Sequence, residues 1–151
     1  MEIKHSNGTD KDFIFLCQQL DQFLDELAGG EKNRAEYLPY NALDHIHNSF
    51  LAYHDNTAVG CASFKEVEAG VAEVKRVFVK HQYRGMKIAW QLLAELEKEA
   101  QKQGYHTLIL ETGSFLTAAL SLYRKIGFHV IDNYGPYANM PQSICMSKEI
   151  L

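Results

Sequence analysis

Eight residues, Gln82-Tyr83-Arg84-Gly85-Met86-Lys87-Ile88-Ala89, combine features that favour holding an anion. The residues before them alternate as a strand: Val71, Glu73, Lys75, Val77 and Val79 are predicted on one face, with Val74, Arg76 and Phe78 on the other. From Ile88 the period lengthens, and Ala89, Leu93, Leu96 and Ala100 make a helical stripe that Gly104 is placed to stop. The eight residues therefore lie where a strand gives way to a helix. Backbone N–H groups at a helix start lack intrahelical partners and carry partial positive charge. Gly85 lets the backbone approach a ligand closely, and Arg84 and Lys87 add cationic donors. The favoured chemistry is the seating of a pyrophosphate. The spacing matches neither the P-loop nor the G-x-G-x-x-G dinucleotide fingerprint.

The elements that must position this loop fit within one expected domain, residues 1–151. A chain of this length can bury roughly 68–70% of its unfolded surface. With 46% hydrophobic and 23% charged residues it has the composition of a soluble globular domain. The net charge of −4 disfavours nucleic acid and anionic lipid as extended partners, and suits an amine-bearing substrate. Cys17, Cys61 and Cys145 are odd in number and lack C-x-x-C spacing, which points away from disulfides and zinc and towards burial of Cys17 and Cys61 as small hydrophobes. The first residues lack an apolar leader pattern, and no run of 18 apolar residues occurs, so the expectation is a cytoplasmic protein with no membrane partner.

Taken in order, Met1–Ser6 reads as a strand and Asn7-Gly8 as a turn, with Thr9 or Asp10 as a helix cap. Phe13, Leu16, Leu20, Phe23, Leu24 and Leu27 recur at helical spacing up to Gly29-Gly30. Residues 31–47 are polar and irregular; their tyrosines and histidines and Asp44 can line a pocket or form a solvated loop. Ser49–His54 and Ala58–Glu66 are predicted strands joined by Asp55-Asn56-Thr57. After the central helix, His106–Glu111 is a short apolar strand, which implies a crossover and a parallel pair. Leu116, Ala119, Leu120, Tyr123 and Ile126 form a further helical stripe ending at Gly127, before strands at Phe128–Ile131 and Ser143–Lys148. Residues 132–142 are rich in turn formers. The expected class is α+β with a mixed, mostly antiparallel sheet flanked by helices.

Gln82 and Gly85, continued by Ile88-Ala89, resemble the [Q/R]-x-x-G-x-[G/A] loop of the GNAT family of acyl-CoA-dependent N-acyltransferases, with Lys87 departing at the second small position. Ala119-Leu120-Ser121-Leu122-Tyr123-Arg124-Lys125-Ile126-Gly127-Phe128 resembles that family's A-x-x-L-Y-x-K-x-G-F segment, with Leu116 where an asparagine is frequent. The order of elements is similar over nearly the whole chain. The resemblance implies an acetyl-CoA-dependent N-acetyltransferase using acetyl-CoA as co-substrate, with no metal. It also implies a parallel strand pair that splays, backbone contacts from Val77, Phe78 and Val79 to pantetheine and thioester, and contacts to the cofactor from Gln82, Arg84, Gly85, Met86, Lys87, Ile88, Ala89 and Lys125. A homodimer is implied in the same way.

Acyl transfer to an amine needs a neutral nucleophile, a donor for the oxyanion and stabilisation of the leaving thiolate. By resemblance a backbone N–H near Phe78 polarises the thioester, and Tyr123 serves the leaving group. An unperturbed phenol near pKa 10 is a weaker acid than a thiol near 8.5, so a hydrogen bond to the thiolate is easier than full proton donation. Glu73 and Glu111 are the carboxylates on predicted strands; each can take the amine proton, bind a cationic substrate, or pair with a neighbouring cation such as Lys75 or Arg76. His45, His47, His81, His106 and His129 have no metal-ligand spacing. Trp90 reads as a packing or interface residue. The acceptor stays open as a small-molecule or peptide amine, with a non-catalytic acyl-CoA-binding sensor as the alternative function. A nucleic-acid module finds no basic stripe or aromatic RNA-binding motif to support it.

Overall fold

The computed structural model describes residues 1–27, 43 and 45–151. The expected pocket residues of 31–42, Asp44 and the Gly29-Gly30 stop lie outside the described residues. The described elements are β1 (Glu2–Ser6), α1 (Lys11–Leu27), β2 (Asn48–His54), β3 (Thr57–Glu68), β4 (Val71–Val79), α2 (Ile88–Lys102), β5 (Thr107–Gly113), α3 (Thr117–Ile126), β6 (His129–Ile131) and β7 (Ser143–Glu149). The strands form one sheet in the order β1-β2-β3-β4-β5-β7-β6. β1–β2, β2–β3, β5–β7 and β6–β7 pair antiparallel. The parallel pair is β4–β5, with a ladder running from Val71↔Thr107 to Glu73↔Ile109; β4 continues beyond it to Val79. This is the expected mixed, mostly antiparallel α+β sheet.

The chain forms two compact units, one of Met1–Phe64 with Arg76–Leu96 and one of Lys65–Lys75 with Glu97–Leu151. In the first, Asp10 caps α1, its carboxylate accepting from the Asp12 and Phe13 N–H groups at 2.9 and 3.3 Å. The α1 stripe buries Phe13, Leu16, Cys17 and Leu20 against Ile46, Leu51, Ala58, Cys61 and Phe78. Leu27, expected on that stripe, is instead half exposed at the helix end. Asp55 and Asn56 take φ of 48° and 65°, a two-residue hairpin loop of left-handed residues that returns β2 into β3. Thr57 belongs to the strand rather than to the turn.

α2 lies close to β3 because Gly60 has no side chain. A Cβ there would meet Ile88 Cγ2 and the Phe78 carbonyl oxygen at 3.2 Å, and Leu92 Cδ1 at 3.3 Å. The buried α2 face is Ile88, Leu92, Leu93, Leu96 and Ala100, with Ala89 half-buried beside it, so the core stripe is offset from the expected one. We expect Gly60→Ala to destabilise the protein by about 1–2 kcal/mol through overpacking, read as a lower urea midpoint. An unchanged midpoint would mean that α2 shifts at no cost.

β4 is not regular throughout. Arg76 has φ 58°, a conformation that L-residues avoid, and its side chain is buried. Its guanidinium donates to the Cys17 carbonyl at 2.7 Å and pairs with Asp21 at 2.9 Å. The strand backbone is thus interrupted at this residue, although Arg76 is buried together with Val74 and Phe78, its expected neighbours on that face. Cys17 and Cys61 are buried as expected.

In the second unit, β5 runs to Gly113, two residues beyond the expected strand end at Glu111. α3 buries Leu120 and Tyr123, and Gly127, with φ 116°, ends it by donating to the Tyr123 and Arg124 carbonyls. The 132–142 stretch is not wholly irregular, since Gly135–Tyr137 make one 3₁₀ turn. No described helix is long and apolar enough to cross a membrane.

Candidate functional site

In the first unit, Lys80 donates to the Val59 carbonyl at 2.9 Å, which ties the end of β4 to β3. A 3₁₀ turn over His81–Tyr83 follows, closed by Tyr83 N–H to Lys80 O at 2.9 Å and Arg84 N–H to His81 O at 3.2 Å. Gly85 then takes φ 81° with open space where a Cβ would stand. Lys87 takes φ 62°, although it carries a side chain. The second small position of the loop motif thus keeps a backbone suited to glycine, and the Lys87 residue is exposed. Gln82, Met86 and Lys125 are also exposed, whereas Ile88 is buried. Ile88 can therefore offer only its backbone to a ligand. The intrahelical bond from Gln91 N–H reaches Lys87 O at 3.1 Å, so the N–H groups before Gln91 form the unpaired first turn of α2.

Arg84 does more than add charge. Its guanidinium lies 4.5 Å from the Phe23 ring centroid and 5.9 Å from that of Phe78, and its Nε donates to the Val79 carbonyl at 3.1 Å. Trp90 is 44% exposed, so of its two expected roles, packing or interface, it does not fill that of a core packing residue. Val77 and Val79 are half-buried and Phe78 is buried, with its ring in the α1 core.

The second unit gathers Tyr123, Glu111, Glu73, Tyr134 and Ser143. Tyr123 is buried with its ring edge-on to Phe128 at 5.9 Å. Burial pushes its hydroxyl pKa up, and the charge of Glu111 pushes it further. Glu111 lies on β5 opposite Cys145, and its Oε2 accepts from Ser143 Oγ at 2.7 Å. Glu73 is buried. Its Oε2 accepts from the Tyr134 hydroxyl at 2.6 Å, while Lys75 Nζ stands 3.7 Å from Oε1 with both side chains 7% exposed. The Lys75 pairing anticipated for Glu73 is present, and Tyr134 is an additional donor. Burial, then the Glu73 charge, drives the Tyr134 pKa far up, so this phenol stays protonated and donates.

Sequence reading missed Tyr134 and Ser143 as partners of the carboxylates. The contacts join residues 61 and 32 positions apart, and neither spacing belongs to one local motif. Among the described residues, no group of three His, Cys, Asp or Glu side chains could hold a metal ion.

The family model described as "Acetyltransferase (GNAT) family" matches residues 16–128. The chain belongs to the GNAT acetyltransferase family. Among particular relatives, it is 37% identical over 138 residues to the IAA acetyltransferase of Azospirillum brasilense, covering 91% of this chain and 90% of that protein. It is 31% identical to a candidate acyl-CoA N-acyltransferase from Klebsiella pneumoniae subsp. pneumoniae MGH 78578, whose crystal structure superposes with a TM-score of 0.82 over 99% of this chain and 97% of the other. The PaiA N-acetyltransferase of Thermoplasma acidophilum, solved in complex with coenzyme A, is 25% identical with a TM-score of 0.74 and 99% of each chain covered.

Proposed function

We propose that residues 1–151 act as one acetyl-CoA-dependent N-acetyltransferase domain, which passes the acetyl group to a primary amine of a small molecule or peptide by direct attack in a ternary complex. What supports the reading is the Tyr123 phenol, buried on α3 within the segment that resembles the family's A-x-x-L-Y-x-K-x-G-F, together with Glu111 on β5. A sensor that only bound acyl-CoA would have no need of either group. The coenzyme A complex of the PaiA relative supports acetyl-CoA as co-substrate.

In this reading, the residue 82–89 loop takes the pyrophosphate on the first-turn N–H groups of α2, with Arg84 and Lys87 adding charge. Val77, Phe78 and Val79 offer backbone groups to pantetheine and the thioester oxygen, and Lys125 adds a cation for the cofactor. The amine lone pair attacks the thioester carbonyl carbon, and an oxyanion forms. The C–S bond then breaks, and the sulfur leaves as a thiolate that accepts a hydrogen bond from Tyr123. The proton lost by the amine goes to Glu111, directly or through one water. Glu111 is preferred over Glu73 because both Glu73 oxygens already face donors, Tyr134 and Lys75. The same reading includes a cytoplasmic location and a homodimer, the latter tested by light scattering.

The first test is calorimetric titration with acetyl-CoA, with ADP and free CoA as controls. Saturable binding is expected, weakened about tenfold by Arg84→Ala and further by added salt. Absence of binding at high micromolar acetyl-CoA would bring the enzyme assignment down. Thiol release with a panel of amines then separates the enzyme from the sensor. In the pH–rate profile, Glu111→Gln is expected to remove the acidic limb and lower kcat by about 100-fold, while Glu73→Gln leaves that limb in place. Loss of the limb in Glu73→Gln alone would move the base to β4.

A further inference from the structure

The loop between β6 and β7 is built to hold one shape. The Asn133 carboxamide donates to the carbonyls of Tyr137 at 3.2 Å, Met140 at 3.2 Å and Ser143 at 3.0 Å. Tyr137 is buried, and its ring meets that of Tyr134 edge-on at 5.8 Å. Backbone bonds from Tyr137 to Tyr134, Met140 to Tyr137 and Ser143 to Met140 close successive turns. Each end of this loop then reaches a different carboxylate: Tyr134 donates to Glu73 at 2.6 Å, and Ser143 donates to Glu111 at 2.7 Å.

We infer that the 133–143 loop is a clamp on both carboxylates, with Tyr134 and Ser143 as positioning residues. Tyr134 holds the Glu73 carboxylate in place, and Ser143 orients Glu111 towards the amine. The division of labour between two similar side chains follows from what faces each. Glu73 faces the Lys75 ammonium on its own strand and the Tyr134 hydroxyl from the loop, so it serves as an anchor. Glu111 accepts from the Ser143 hydroxyl, and its charge is felt by the Tyr123 phenol and by the Cys145 thiol on β7. Cys145 also feels the Glu73 charge and takes a hydrogen bond from the Tyr134 backbone N–H. The inference rests on Glu111 being the proton acceptor, as proposed above.

The test uses Tyr134→Phe and Ser143→Ala in the full chain. Ser143→Ala removes a donor that favours the carboxylate form of Glu111, so the acidic limb of kcat/KM for the amine should move to higher pH. Tyr134→Phe should leave that limb where it is, raise the amine KM about tenfold and leave the acetyl-CoA KM unchanged. A purely structural role would not separate the two variants in this way. An acidic limb that moves in Tyr134→Phe, or stays in Ser143→Ala, overturns the inference. Hydrogen exchange at the Tyr137, Met140 and Ser143 amides supplies a readout independent of turnover. It should accelerate at least about tenfold in Tyr134→Phe, and unchanged exchange would remove the clamp. If the wild type releases no CoA with any amine, the catalytic reading fails by itself and the exchange result decides the clamp.

Discussion

Tyr123→Phe is expected to lower kcat by about 100-fold while leaving acetyl-CoA affinity within about twofold. The size is that of one well-aimed donor to a developing anion in a water-poor site. The split follows from timing, because the sulfur becomes an acceptor of charge only as the C–S bond breaks, so the ground-state complex loses little. Burial, with the Glu111 charge added, holds the Tyr123 pKa above its ordinary value near 10. That makes complete proton delivery to a thiolate still more uphill than for a free phenol, so the proposed role is hydrogen bonding. It follows that the basic limb of the wild-type pH–rate profile should show no Tyr123 ionisation up to pH 9.5. A basic limb near pH 8–9 that disappears in Tyr123→Phe would reverse this assignment, and unchanged kcat would remove the residue from the mechanism.

The same shift has a consequence for stability. An unfolded tyrosine starts to lose its proton near pH 10, whereas folded Tyr123 keeps it. The unfolded state then binds fewer protons than the native state, so this contribution is fully present below pH 10 and is lost as pH rises. Tyr123→Phe should therefore flatten the loss of stability above pH 10.

Arg76→Ala should cost about 3 kcal/mol of folding stability, the largest single-residue loss expected outside the apolar core. Burial alone would lower the Arg76 pKa, yet the pairing with Asp21 and the interaction with Cys17 raise it overall. The guanidinium is thus held charged inside the first unit by Asp21 at 2.9 Å and the Cys17 carbonyl at 2.7 Å. Truncation removes both partners at once and leaves a void beside α1. Alanine keeps its Cβ, so the strain of the φ 58° backbone is not relieved by this substitution. Asp21→Asn should cost less, about 1 kcal/mol, because the Asp21 side chain is 42% exposed and its charge is partly screened. Urea midpoints of the two variants provide the check. A cost below 1 kcal/mol for Arg76→Ala would mean that desolvating the guanidinium cancels its bonds.

Strand and helix identities were legible because periods of 2 and 3.6 are local. Residues 71–79 form a strand with the expected limits, and Gly104 and Gly127 both adopt the left-handed backbone that ends a helix. The misreadings came where tertiary packing overrides the period. Ala89 yields its place in the α2 core to Ile88 and Leu92, because Gly60 admits the helix at that face. Arg76 keeps its expected face but interrupts the regular β4 backbone, where its ion pair and backbone acceptor offset a strained φ. A charged residue predicted on the same face as Val74 and Phe78 was the available signal.

The amino-acid sequence by itself determined the class of fold, the family, and the glycine loop that precedes α2, since each is written in short-range spacing. That Lys87 takes a φ of 62°, keeping a backbone suited to glycine where the side chain departs from the motif, was visible only in the structure. Only the tertiary structure could show what surrounds Glu73 and Glu111. Both stand on strands with similar local surroundings, and the difference lies in which distant donors arrive. Tyr134 comes from 61 residues away to engage Glu73, with Lys75 beside it, and Ser143 from 32 residues away to face Glu111. A carboxylate's basicity is set by the charges and donors within a few ångströms of it, and the fold chooses those neighbours.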